Sequence, residues 1–333
     1  MLGRQNTANQ AHRFGNQVQT EAPASGCPEA SAADTPKEDL SFWKRFHGGL
    51  ALAITAGIFF VFLLAGVGKA NSPRQVLGDL FRQPSTKNDA RSSKYENDLD
   101  RLSPQTQAET LLELAIGNSE GANQEIARRA ESWSGKLHLD SQLASDTAAA
   151  LTSSDLSVRQ SALEVQLAAY GLAKNSSTVD FLIHNAAASG HAQKTWALWA
   201  LGALANRGVE TARAEQALAS HLTDADADSR CWAVEGLALV GTTATIAPLL
   251  KAMHDDPSPT VRQRAAFSLA ESGMLSHEQR LTAVPQLVSF AQDSSLNSET
   301  HAWVFQALGD ITKQRLPNDS AAWRNWYATS KGE

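Results

Sequence analysis

The sequence predicts an all-α protein, a solenoid of stacked helical hairpins preceded by one membrane-spanning helix and a disordered tail. Three observations carry that reading. A skeleton of a cation, then Ala three, Leu seven and Gly eleven residues on, occurs as Arg262, Ala265, Leu269, Gly273 and as Arg230, Ala233, Leu237, Gly241. Weaker copies are Lys194, Ala197, Leu201 and His301, Val304, Leu308, and a degenerate one starts at Arg159 and Ala162. The lead residues step by 35, 36, 32 and 39 positions, the spacing of two-helix units repeated along a stack. The apolar pattern from Ser103 onward is helical, with no alternating run long enough to argue a sheet. Finally, Gly48 to Gly68 holds 21 residues without a charge.

These observations divide the chain. Residues 1–42 are rich in Gln, Asn, Ala, Ser, Thr and Pro. They hold too few large apolar side chains to offset the entropy of ordering, which predicts a disordered tail. Residues 43–69 are the expected membrane anchor, with the spanning helix at about 48–68. At helical rise its 21 residues reach about 31 Å, enough for a bilayer's hydrocarbon core. Phe42, Trp43, Lys44, Arg45 and His47 on one side and Lys69 on the other suit the two interfaces. A leader of 47 residues is too long for a cleaved signal peptide.

Orientation rests on two opposed signals. Lys37, Lys44 and Arg45 precede the span and Lys69, Arg74, Arg82 and Lys87 follow it, a count that leans towards a cytoplasmic C-terminus. Bacterial proteins with one N-terminal anchor and a large C-terminal domain usually export that domain. The expectation is an extracytoplasmic domain, with the cytoplasmic orientation as the alternative. Residues 70–102, broken by Pro73 and Pro84 and mixed in charge, read as a polar tether.

The solenoid is expected over 103–333. Its helices fall at about 105–117, 120–133, 140–152, 155–173, 177–187, 190–206, 210–222, 227–240, 243–254, 258–272, 277–292, 297–314 and 319–328. Asp, Asn, Ser, Gly or Pro punctuates them, as caps require. Asp155, Asp228 and Asp256 stand where an acid can cap the second helix of a unit, and Gly241 and Gly273 where a left-handed residue can end one. One hairpin cannot bury both its faces, so each unit must lean on the next.

These residues resemble the HEAT-repeat family. Pro248 precedes Leu249 and Leu250, and Pro285 stands just before Leu287 and Val288, the family's proline ahead of a hydrophobic pair. Asp224 is followed six residues on by Arg230, and Asp256 by Arg262. The resemblance implies that such pairs form a charged ladder between units, making these residues structural. It covers about 140–315, and Asp180 departs from it by standing where the first-helix proline belongs. The whole arrangement is similar to uncharacterised bacterial single-pass membrane-anchored HEAT proteins, including the closing Trp-rich segment with Trp323, Trp326 and Tyr327 after Asp319. The segment reads as a terminal cap. Trp199, Trp232, Trp323 and Trp326 are the candidate binding anchors should the fold leave them exposed; Trp196 and Trp303 raise the same question, and helical spacing makes all of them core residues first.

Charge and motif searches narrow the chemistry. Residues 1–100 hold 11 Lys+Arg against 10 Asp+Glu, whereas 101–333 hold 18 against 25. An acidic domain gains nothing from phosphate neutralisation, so nucleic acid is not an expected partner. Cys27 and Cys231 lie on opposite sides of the apolar run, where they are not expected to meet, so neither a disulfide framework nor a thiolate metal site is expected, and Cys231 in a predicted helix reads as a small buried residue. Ala24, Ser25, Gly26 and Cys27 spell a lipoprotein processing box, but no apolar segment precedes them. Ser119 in GNSEG matches a nucleophile elbow, yet helices rather than a strand flank the turn. Asp224, Asp226, Asp228 and Glu235 occupy calcium-loop positions, but Ser229 stands where the loop's Gly is needed. No metal site, cofactor or catalytic residue is expected.

The function expected is therefore a membrane-anchored scaffold that binds a protein or peptide along a concave face lined by one helix of each unit. The alternatives are an enzyme on the same fold, such as a bilin-lyase-like protein, or a spacer in an envelope assembly. Fold alone does not choose among them.

Overall fold

The computed structural model describes residues 99–187 and 190–330. The expected tail, the anchor at 43–69 and the tether up to residue 98 lie outside the described residues. Among those described, no helix is long and apolar enough to cross a membrane. The last four tether positions belong to the fold. Leu99 is fully buried, and the Asp100 carboxylate lies 2.6 Å from Arg129 Nη1.

The described part is helical throughout: α1 Pro104–Ile116, α2 Ala122–Trp133, α3 Ser141–Leu151, α4 Leu156–Ala169, α5 Ser176–Ala186, α6 His191–Asn206, α7 Thr211–Ser220, α8 Ala227–Val240, α9 Ile246–Asp255, α10 Pro259–Ala270, α11 His277–Leu281, α12 Val284–Phe290, α13 Ser298–Thr312 and α14 Ser320–Ser330. The caps expected from composition form. Asp140, Asp155, Asn175, Asp226 and Asn297 each accept a backbone N–H from the first turn of the helix that follows, offsetting the donors a helix start leaves unpaired. Asp226 rather than Asp228 caps α8, and Asp256 sits two residues ahead of Ser258, the residue just before α10.

One expected helix is two. The stretch 277–292 breaks into α11 and α12 because Pro285 has no N–H to return to the Leu281 carbonyl, and its ring crowds that carbonyl. The chain turns through Thr282 and Ala283 instead, whose N–H groups bond Gln279 and Arg280.

Packing follows the pairs. α1 lies on α2 and α3 on α4, with α1 against α3 and α2 against α4. From α5 onward the second helices of successive hairpins form a row: α6 on α8, α8 on α10, α10 on α13. The first helices α5, α7, α9 and α12 flank that row, and α14 closes it by packing on α12. One apolar cluster runs from Leu163 in α4 to Trp323 in α14, so neighbouring units share a core rather than each owning one.

The tightest junction is α6 against α8. A Cβ added at Gly202 would stand 2.3 Å from the Gly236 carbonyl oxygen, backbone against backbone. Only glycine at both crossing points lets these helices meet so closely, and they are buried without a break over Thr195–Ala205 and Ser229–Val240.

Candidate interaction surface

The repeat positions assemble into a ladder along the N-terminal ends of the second helices. Lys194 Nζ lies 2.9 Å from Asp224 Oδ2 of the next unit. In that unit Arg230 donates from Nε and Nη2 to both oxygens of Asp256, at 2.8 and 3.0 Å, and from Nη1 to its own unit's Asp224 carbonyl. Arg262 repeats the local half by donating to the Asp256 carbonyl at 2.7 Å, but its Nε finds the Thr300 hydroxyl at 3.0 Å instead of a carboxylate. The spacing of six positions is thus explained: the guanidinium grips the carbonyl at the start of its own turn while its other nitrogens cross to the next unit.

The electrostatics follow from these contacts. The hydrogen bond from Lys194 holds Asp224 below the usual carboxylate range, and the bond to Asp256 raises Arg230 further above its ordinary value. Arg230 and Asp256 are both buried. A bidentate pair of this kind mainly fixes register, because desolvation offsets much of the attraction.

Arg159 occupies the same local position, donating to the Ser153 carbonyl, yet its Nη1 reaches the carbonyls of Glu271 and Gly273 beyond the end of α10, at 2.9 and 2.8 Å. The ladder therefore does not pass from α4 to α6. The start of α4 meets the end of α10, Glu164 of α4 bonds Arg207 at the end of α6 at 2.7 Å, and Tyr170 packs edge-on against Trp196 and Trp199. The degenerate first copy of the repeat is a helix laid against the row, not a member of it.

Gly241 ends α8 with φ 70°, and a Cβ there would meet Met274 at 2.6 Å. Gly273, at φ 71°, touches Ala238 and lets Met274 N–H reach the Ala238 carbonyl at 2.8 Å. Pro248 and Pro285 lie in the first turns of α9 and α12, where a missing N–H breaks no helical bond.

Among the described residues every tryptophan but the half-buried Trp326 is core. Trp199, Trp232 and Trp323 are 1%, 6% and 1% exposed, so these three candidate anchors are corrected: each fills an interface between helices. Trp323 donates its indole N–H to the Pro317 carbonyl and stands edge-on to the half-buried Trp326. The concave face expected along one helix of each unit is not supplied by the second helices α6 and α8 over Thr195–Ala205 and Ser229–Val240, where every residue is buried. One opening lies between first helices. Ala247, Leu250, Lys251 and His254 of α9 face Gln286 and Phe290 of α12 across a cleft of about 300 Å³.

Sequence reasoning missed several residues that organise this region. Arg280, 6% exposed, donates to five carbonyls: Leu275, Ser268, Leu269, Glu271 and Ser272. It thereby closes the C-terminal end of α10, and burial, with Arg159 nearby, lowers its pKa to about 10. It lies outside the repeat skeleton, so no spacing announced it. Gly202 and Gly236 did leave a signal, standing 34 positions apart, close to the repeat step.

The calcium-loop residues go separate ways. Asp226 caps α8, Asp224 holds Lys194, and Glu235 is buried in α8 with Oε2 3.6 Å from Arg264 Nη1. Among the described residues no group of His, Cys, Asp and Glu is placed to hold a metal ion.

Stacked hairpins sharing one core and tied by an arginine–aspartate ladder define an α-solenoid. The sequence model of the HEAT repeats matches residues 186–270 and 246–322, so this stretch of the chain is similar to HEAT repeats. Similar solved structures include an engineered protein at 18% identity, covering 73% of this chain and 97% of that one with a TM-score of 0.32. A designed armadillo repeat protein is 19% identical over 72% of this chain and 100% of its own, with a TM-score of 0.28. Another, solved in complex with the peptide (KR)4, is 16% identical over 73% and 100%, with a TM-score of 0.30. No curated protein matches the chain.

Proposed function

We propose that this protein is a membrane-anchored scaffold whose HEAT repeats hold a protein or peptide partner. The observation that carries the reading is the ladder. Lys194, Asp224, Arg230, Asp256 and Arg262 bind one another or the backbone, and so serve the stack rather than a reaction. A rigid row of units with a cleft between α9 and α12 is suited to recognition by shape. The uncharged run at 48–68 would anchor the domain, on the extracytoplasmic side in the orientation we favour.

Two experiments test this. In-cell crosslinking of the anchored full chain is compared with Ala247→Trp, which fills the cleft. A specific crosslinked partner that the variant loses supports the scaffold, and only nonspecific capture by both proteins refutes it. Reporter fusions to the C-terminus, one active only outside the cytoplasm and one only inside, decide the orientation.

A further inference from the structure

The joint between the α9–α10 hairpin and the α12–α13 hairpin is built differently from the others. It carries the longest repeat step, 39 positions from Arg262 to His301. Its ladder rung ends on a hydroxyl rather than a carboxylate, and its first helices leave the cleft lined by Ala247, Leu250, Lys251, His254, Gln286 and Phe290.

One side chain bridges that joint. His254, in the last turn of α9, has Nδ1 2.5 Å from Asp255 Oδ1 and Nε2 3.0 Å from Asp293 Oδ2, in the turn after α12. Its ring lies 4.5 Å from that of Phe290, on α12. Asp293 is aimed at it by the Ser295 N–H, 2.9 Å from the other carboxylate oxygen. An ionised carboxylate only accepts hydrogen bonds, and a neutral imidazole carries a single N–H. Two carboxylates on the two ring nitrogens can both be served only by the imidazolium.

We propose that His254 is a proton-operated latch between these two hairpins. Protonated, it ties α9 to the turn at Asp293 and holds the cleft between α9 and α12. Deprotonated, it turns a lone pair towards one carboxylate, and the joint loosens. The charged groups facing it are Asp255 and Lys251 on its own helix and Asp293 across the joint; Gln286 and Phe290 on α12 are neutral. Partial burial disfavours the charged ring, but the hydrogen bonds to Asp255 and Asp293 outweigh it and lift the pKa above the ordinary histidine value. A raised pKa means the stabilisation is present below the unfolded value and is lost as pH rises through the folded one. The latch does not depend on the cleft having a partner.

Amide hydrogen exchange on the full chain tests it, at pH 5.5 and pH 8.0 with rates corrected for intrinsic exchange, in wild type, His254→Gln and His254→Arg. Losing a hydrogen bond to a charged group corresponds to roughly tenfold faster local opening. Wild type is expected to lose about that protection across 282–297 on going to pH 8.0. His254→Gln should show no such pH step, and His254→Arg, always charged, should stay protected at both pH values. A wild-type pH step that His254→Gln reproduces overturns the latch. So does the absence of a step in wild type, or an equal loss in α3, which lies outside the joint.

Discussion

Gly202→Ala separates what the helix sequence suggests from what the packing demands. Glycine inside a helix is about 1 kcal/mol worse than alanine, so on sequence grounds the substitution stabilises. In the structure the new methyl would stand 2.3 Å from the Gly236 oxygen and 2.8 Å from its carbonyl carbon and Cα. Ordinary contact begins near 3.4 Å, so α6 and α8 must part by about 1 Å, and no rotatable side chain can absorb the shift. Overpacking of this kind costs about 1–3 kcal/mol, and separating two helices in contact along their length places the value near the top of that range. Less the propensity gain, the expected net loss is about 2 kcal/mol. Gly309→Ala is the matched control, because its Cβ would meet only the Gln314 oxygen at 3.5 Å; it should stabilise by up to about 1 kcal/mol. Urea unfolding followed by circular dichroism reads both. If Gly202→Ala is as stable as wild type, or gains as Gly309→Ala does, the backbone contact between α6 and α8 is wrong.

Four further outcomes are expected. Arg280→Met takes the donor from the Ser268, Leu269 and Ser272 carbonyls at the end of α10 and from Leu275 beyond it, while Glu271 keeps its bond from Arg159; it should cost about 3 kcal/mol in urea unfolding, with Arg280→Lys recovering part. Asp256→Asn removes the carboxylate charge opposite the buried Arg230, and the same titration should show a loss of about 3–5 kcal/mol. Asp224 and Asp226 are held low by their bonds to Lys194 and Ser229; the stability they add is present above about pH 4 and disappears as pH falls through their folded values, so thermal melts should drop steeply in acid. Glu235 is pushed up by burial, with Arg264 opposing. Its stability is therefore lost as pH rises through its folded value, and Glu235→Gln should flatten the fall of melting temperature with pH above about 4.5.

Much of the fold was legible in the chain. Helical periodicity, the Asp, Asn and Ser caps and the recurring cation, Ala, Leu and Gly define the hairpins, since each acts over a few residues and leaves a local pattern. The Arg-after-Asp spacing carried more, because it encodes a contact between adjacent units. The candidate site was less readable. Trp199 and Trp232 read as core first, but only the neighbours placed around them decide whether they are left exposed as anchors, and His254 has no motif at all: its partner Asp293 lies 39 positions away.

The sequence by itself determined where helices start and stop, that they pair, and how one repeat unit is tied to the next. Hydrogen-bonded caps and periodic faces are written within about forty residues of chain. The tertiary structure alone decided that α4 lies across the ends of α6 and α10 instead of joining the row, and that Arg280 seals α10. It also decided that α6 and α8 are buried over most of their length. Each of these depends on which buried carbonyls and apolar faces remain unsatisfied once the units have stacked, a sum over distant parts of the chain that no local pattern records.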